Sequence, residues 1–251
     1  MLNQFLKLLC RIPRPWVLDP DFTIVESARA EATGFSFPSG HTQNAVGTFG
    51  GIARATKRHC LRWVCVVIFV LVSFSRMYLG VHTPLDVGVS FVIAAVLVFA
   101  IYPLMRRADR YPRLMAGLLA SMVLLSAAYL TFTLVYPFPP DIDSANLASG
   151  VENGWKLLGA TLGIALAWWL DRQYARFETK AVWCVQAIKF IVGLALVVAL
   201  KAGLKAPLIA LFGGSAGLAG AVRYFLVVLA AGVLWPMAFR PLSRLGQRGE
   251  G

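Results

Sequence analysis

Residues 62–104 read RWVCVVIFVLVSFSRMYLGVHTPLDVGVSFVIAAVLVFAIYPL. Two apolar runs, 62–80 and 84–104, meet at a corner written Gly80-Val81-His82-Thr83-Pro84. Each run is about the 20 residues needed to cross a bilayer as a helix. Backbone polar groups in lipid must be satisfied within the segment, so the runs are expected to be helical. Further apolar runs at 114–136, 155–170, 181–200 and 221–237 repeat the pattern. With 58% hydrophobic and 14% charged residues in 251, the chain has too little polar surface for one soluble core. Its mean hydropathy is +0.69. The expected fold is an all-α, polytopic transmembrane helical bundle.

The charge balance admits two readings. Twenty-four Lys and Arg against twelve Asp and Glu give a net charge of +12, which in a soluble protein would suggest nucleic acid. Position decides against that partner. The cations gather in short connections: Arg54, Lys57, Arg58 and Arg62; Arg106, Arg107, Arg110 and Arg113; Arg172, Arg176 and Lys180; Arg240, Arg244 and Arg248. These are alternate loops, the signature of cytoplasmic connections. The intervening loops carry Asp19, Asp21, Glu26 and Glu31, then Asp141, Asp143 and Glu152, and are expected to face outward. The partner is a lipid bilayer, in which the chain is expected to be integral. The opening MLNQFLKLLC is too short an apolar run for a cleavable signal. Cys10, Cys60, Cys65 and Cys184 have neither metal-ligand spacing nor the look of a disulfide framework.

Along the chain, residues 1–9 read as a helix end and 10–37 as a loop broken by Pro13, Pro15, Pro20 and Gly34. A less apolar helix begins at Ser39 or Gly40, and its small residues Gly47 and Gly51 suit burial between neighbours. Polar 137–154 and Gly-rich 201–220 read as outer loops, and no internal repeat is evident. GGSAGLAG at 213–220 lacks the Lys and hydroxyl of a phosphate-binding loop and reads as a turn or a broken helix. Gln186 and Lys189 lie inside the run 181–200, where an ionisable group is costly and marks a functional candidate, a snorkelling chain or a wet groove.

Three pieces on the outward side carry chemistry. They are Lys7 followed after six residues by Arg14-Pro15; Pro38-Ser39-Gly40-His41; and Ser75-Arg76, five residues, His82, three residues, Asp86. Phosphate ester cleavage needs cations on the oxygens, an amide cradle, a nucleophile and an acid for the leaving oxygen. Lys7, Arg14 and Arg76 supply charge-assisted donors. Ser39 and Gly40 open a helix, where free amides and the positive dipole end favour an anion. Taken singly, each is bland: an arginine at a membrane face snorkels, and a serine there caps. Asp86 lies one helical turn past His82 and can orient its ring. It also fits the third position of a helix capped by Thr83 and opened by Pro84. His41 can protonate a departing alkoxide. Of the three histidines, only His59 falls in an inward basic loop.

Together the three pieces resemble the signature of the type 2 phosphatidic acid phosphatase superfamily, which includes bacterial acid phosphatases and vanadium haloperoxidases. The resemblance covers residues 7–90 and implies a metal-independent, cofactor-free lipid phosphatase. His82 would be the nucleophile, His41 the acid and then base, and Asp86 the orienting carboxylate, with Lys7, Arg14, Ser39, Gly40 and Arg76 binding phosphate. The substrate would be a lipid phosphate or diphosphate met at the outer membrane face. Residues 1–104 would form the catalytic core and 105–251 a transmembrane region of undefined role. Membrane members of the family place three helices before the Lys7 motif, so the chain is expected to be shortened at its start. Two other readings stand beside this one: a vanadate-dependent haloperoxidase-like activity and a non-catalytic membrane binding or transport module.

Overall fold

The structure is a computed structural model that describes residues 1–175 and 182–239. The basic residues Arg176, Lys180, Arg240, Arg244 and Arg248 lie outside the described residues. All regular structure among the described residues is helical. Helices α1 (Leu2–Cys10), α2 (Pro15–Leu18) and α3 (Glu26–Arg29) precede α4 (Gly40–Ala55), α5 (His59–Tyr78) and α6 (Pro84–Ala108). Then come α7 (Pro112–Val135), α8 (Ser144–Leu170), α9 (Trp183–Gly203), α10 (Lys205–Leu211), α11 (Ala216–Leu229) and α12 (Trp235–Met237). A π-helical turn follows α8 at Asp171–Ala175 and another follows α11 at Ala230–Leu234.

Five segments among the described residues are long and apolar enough to cross a membrane: His59–Tyr78, Pro84–Ala108, Pro112–Val135, Trp183–Leu211 and Ala216–Met237. Their surfaces suit lipid, since large side chains such as Trp63, Phe99, Leu124 and Phe190 stand exposed on them. The chain is an all-α polytopic membrane protein. The sequence places a sixth apolar run at 155–170, but α8 begins far earlier, at Ser144. Asp143 starts it by accepting the Asn146 N–H at 2.7 Å. Its polar first turns are supported by the Lys156–Glu152 pair at 2.8 Å. The expected outer loop 137–154 is therefore half helix, and α8 is less apolar than the five spans. The loop 10–37 likewise contains α2 and α3, and the loop 201–220 contains α10. The Gly-rich piece is a turn, with Gly213 and Gly214 at φ of 59° and 87°, after which Ser215 caps α11.

The chain divides into two compact units, Met1–Met115 with Pro137–Gly150, and Ala116–Tyr136 with Val151–Gly251. In the first unit α4 packs against α5 and α6. The Ser39 N–H donates to the Asp86 carbonyl at 3.2 Å, tying the starts of α4 and α6 together. At the other end of α4, Arg54 donates to the Val98 carbonyl at 3.2 Å and lies over the rings of Phe99 and Tyr102. Arg62 donates to the Ala53 and Thr56 carbonyls, so part of the first basic cluster neutralises the negative end of α4.

Small residues let helices of the second unit approach closely, as expected where lipid removes the hydrophobic drive between helices. Gly159 and Gly163, spaced as GxxxG on α8, face Ala221, Phe225 and Val228 of α11. The Ser126 and Thr161 hydroxyls bond at 2.8 Å between α7 and α8. A Cβ at Gly159 would run into the Ala221 backbone. Replacement Gly159→Ala is therefore expected to lower the midpoint of thermal unfolding in detergent. Val228→Ala, which only trims the neighbouring contact at Gly163, is expected to cost less.

Candidate active site

The predicted corner between α5 and α6 forms as the sequence suggests. Thr83 caps α6, Pro84 opens it, and Asp86 completes a capping box. The Thr83 N–H donates to Asp86 Oδ2 at 2.9 Å and the Asp86 N–H returns to Thr83 Oγ1 at 3.2 Å. Before the corner, Gly80 sits at φ 72°, and a Cβ there would fall 2.6 Å from the Thr23 carbonyl. The loop 10–37 thus lies directly on this turn, joined to it by the Val25 N–H bond to the Leu79 carbonyl.

The box fixes Asp86 beside His82. Asp86 Oδ2 lies 3.3 Å from His82 Nδ1, and both side chains are almost wholly buried. The other ring nitrogen, Nε2, lies 3.1 Å from Arg14 Nη1. A guanidinium can only donate, so Nε2 presents its lone pair and the ring proton belongs on Nδ1, toward Asp86. Burial is the largest influence on His82 and lowers its pKa from 6.5 to about 4. The Asp86 hydrogen bond opposes that fall, while the positive charges of Arg14 and Lys7 assist it. The imidazole is thus neutral at pH 7, the state a nucleophile requires.

A residue that the sequence did not single out completes the cluster. Ser36 is fully buried and donates from Oγ to Asp86 Oδ2 at 2.5 Å, with the same hydroxyl 3.4 Å from His82 Nδ1. Only its place two residues before Pro38 could have flagged it. Asn3 is a second omission. One turn before Lys7 on α1, it donates to the Pro38 carbonyl at 3.1 Å and so ties α1 to the Pro38–His41 piece.

The cations are arranged less simply than the sequence suggests. Arg14 donates from Nε to Gly34, from Nη1 to Val81 and from Nη2 to Thr33, at 3.0, 2.8 and 2.9 Å, all carbonyls. Lys7 Nζ donates to the carbonyls of Phe35 and Ser36. Both side chains therefore fold the loop 33–36 over the corner while aiming charge at His82. Burial, followed by the Arg14 charge, lowers the Lys7 pKa from 10.5 to about 7, with Asp86 pulling the other way. Burial similarly brings Arg14 to about 10 against the pull of Asp86. Arg76 is less committed, donating from Nε to Ser75 Oγ at 3.3 Å.

The amide cradle needs one correction. The Ser39 N–H is taken by the Asp86 carbonyl, and Ser39 Oγ accepts from Thr42, capping α4. Burial of Ser39 against α6 leaves no room for its amide to stay free, so the open amides at this helix start are those of Gly40 and His41. His41 stands in the first turn of α4 with much of its ring exposed. Its pKa lies below the ordinary value, first through partial burial and then through Arg76, Arg14 and Lys7. These surroundings disfavour the imidazolium that an acid would need, and the charge of a bound anion would oppose them. No three His, Cys, Asp or Glu side chains converge among the described residues.

Residues 1–110 match the family model for the PAP2 superfamily, and residues 155–248 match that for the PAP2 superfamily phosphatase transmembrane extension. Among curated proteins, undecaprenyl-diphosphatase BcrC of Bacillus subtilis (strain 168) is 33% identical over 102 residues, 41% of this chain and 50% of the relative. Phosphatidylglycerophosphatase B of the same organism is 33% identical over 106 residues, 38% of this chain and 50% of the relative. The chain spans about half the length of the curated relatives it matches. No solved structure matches.

The folded state holds His82 at about 4 where an unfolded chain would hold it near 6.5. As pH falls the unfolded state takes up the proton first, so stability present above pH 6.5 is lost between 6.5 and 4. Thermal unfolding in detergent is expected at a lower temperature at pH 5 than at pH 7, with the difference reduced in His82→Gln.

Proposed function

From a chain that belongs to the PAP2 superfamily, with a neutral histidine held between a carboxylate and a guanidinium, we propose hydrolysis of a lipid phosphate or diphosphate through a phosphohistidine. The observation that carries the reading is the orientation of His82. Asp86 fixes the Nδ1 proton, and the Nε2 lone pair points at the cation best placed to receive a phosphate oxygen.

In the proposed reaction a phosphoryl oxygen takes over the Arg14 donor now spent on Nε2. His82 Nε2 attacks phosphorus, the bond to the leaving oxygen breaks, and His41, charged by the bound phosphate, protonates that oxygen. Water then attacks the phosphohistidine with His41 as base. The P–N bond breaks, and inorganic phosphate departs. Arg76 and the Gly40 and His41 amides receive the remaining oxygens, Lys7 and Arg14 set the field, and Ser39 holds the helix start. Ser36 and Thr83 hold Asp86 in place by hydrogen bonds to Oδ2. Residues 1–104 carry this chemistry. The basic connections after α4 and α6 support an orientation that puts the site on the outer face. The relatives' names place undecaprenyl diphosphate and phosphatidylglycerophosphate first on the substrate panel.

The deciding experiment is phosphate release from that panel by membranes carrying the chain, in chelator, beside His82→Ala. Release that persists in chelator and disappears in His82→Ala is expected. Equal release from both proteins would refute the nucleophile, and loss on chelation would refute the metal-independent reaction. Ser36→Ala removes a hydrogen bond to a charged group and is expected to lower kcat about tenfold with little change in KM. The acid limb of kcat/KM should move with it, which a fault in folding alone would not produce. Proton loss from Lys7 at about pH 7 should lower kcat/KM as pH rises beyond it, and Lys7→Arg should move that limb upward.

A further inference from the structure

Arg223 lies within the membrane-crossing segment Ala216–Met237, yet it is buried to 8% exposure. Its guanidinium carbon stands 5.5 Å from the Tyr224 ring, and its buried Nε has no hydrogen-bond partner among the described residues. A snorkelling arginine carries its head to water. This one instead lines a cavity of about 240 Å³, together with Lys205, Glu152, Ile209, Ala219 and Gly220. All of these residues belong to the second unit, none is a catalytic candidate, and the cavity adjoins the capped start of α11 at Ser215.

The charge on this cavity is unbalanced. Glu152 is its acidic member, and Glu152 already pairs with Lys156 at 2.8 Å. Lys205 and Arg223 remain as two cations facing one space, with no carboxylate within ion-pair distance of either among the described residues. A buried guanidinium with an unmet donor is costly in an apolar environment, and such groups in membrane segments mark ligand sites by default. The volume falls below the roughly 300–1,000 Å³ of sites for whole small molecules, so it suits a headgroup rather than an entire lipid.

We propose that Lys205 and Arg223 form a second oxyanion site in the transmembrane extension, which binds a phosphate group either as the free anion or as the headgroup of a lipid. Arg223 supplies the directed donors and Lys205 the mobile charge. Gly220 leaves open the wall against which Lys156 packs, and Glu152, neutralised by that lysine, does not repel the ligand. The site is independent of the proposed catalysis and would bind in a chain that cannot turn over.

The test uses the full chain in phosphate-free detergent, carrying Arg76→Ala and His82→Ala to disable the first site. Binding of radiolabelled inorganic phosphate and of a single-chain alkyl phosphate is measured at equilibrium. Saturable binding of at least one probe is expected, weakened tenfold or more by Arg223→Met and by Lys205→Gln. Lys205 is exposed, so its variant decides the matter should Arg223→Met fail to fold. Binding of both probes identifies the free anion as sufficient, and binding of the alkyl phosphate alone identifies a headgroup. Absence of saturable binding by either probe, or binding unchanged by Lys205→Gln, overturns the site.

Discussion

One carboxylate oxygen organises the first unit. Asp86 Oδ2 receives the Thr83 amide, the Ser36 hydroxyl and the Nδ1 side of His82, while the Asp86 carbonyl receives the Ser39 amide and the Ser90 hydroxyl at 2.7 Å. Through that residue the start of α6, the start of α4 and the loop before it become a single piece. The donors also solve an electrostatic difficulty. An ionised carboxylate with almost no exposed surface is tolerated only when its lone pairs are met, and here the groups that meet them are the ones that need positioning.

Cations take the same double part. Arg14 and Lys7 are anchored to carbonyls of the 33–36 loop, so the loop holds them in place and they hold the loop closed. Burial first, and then the charges of neighbouring cations, make both rings poor bases. For His82 that suits attack on phosphorus. For His41 it means that acid behaviour is conferred by the substrate's own charge, which couples binding to readiness for chemistry in the proposed reaction.

Much of this is legible in the sequence because it is local. Thr83-Pro84 followed by Asp86 is a capping pattern confined to four residues, and its geometry follows from helix chemistry alone. Runs such as 84–104 declare their helices by composition. Contacts across long separations were hidden: Ser36 meets Asp86 fifty residues on, and Asn3 meets Pro38 thirty-five residues on. The loss of the Ser39 amide to α6 depends on such a contact too. The start of α8 does not show in hydropathy, which reports lipid exposure, whereas Asp143 and the Lys156–Glu152 pair extend the helix through polar sequence.

The short length of α4 has a mechanical consequence. With 16 residues it is about 24 Å long, while α6, with 25, is about 37 Å. The two begin level, at the bond between Ser39 and Asp86, and Arg54 is fastened beside Val98, ten residues before α6 ends. The cluster of Arg54, Lys57, Arg58 and Arg62 is therefore set about 15 Å short of the far end of α6. Helix α4 falls short of the roughly 30 Å of a hydrocarbon layer that α6 exceeds, so its basic end lies deeper along the bundle than the end of α6.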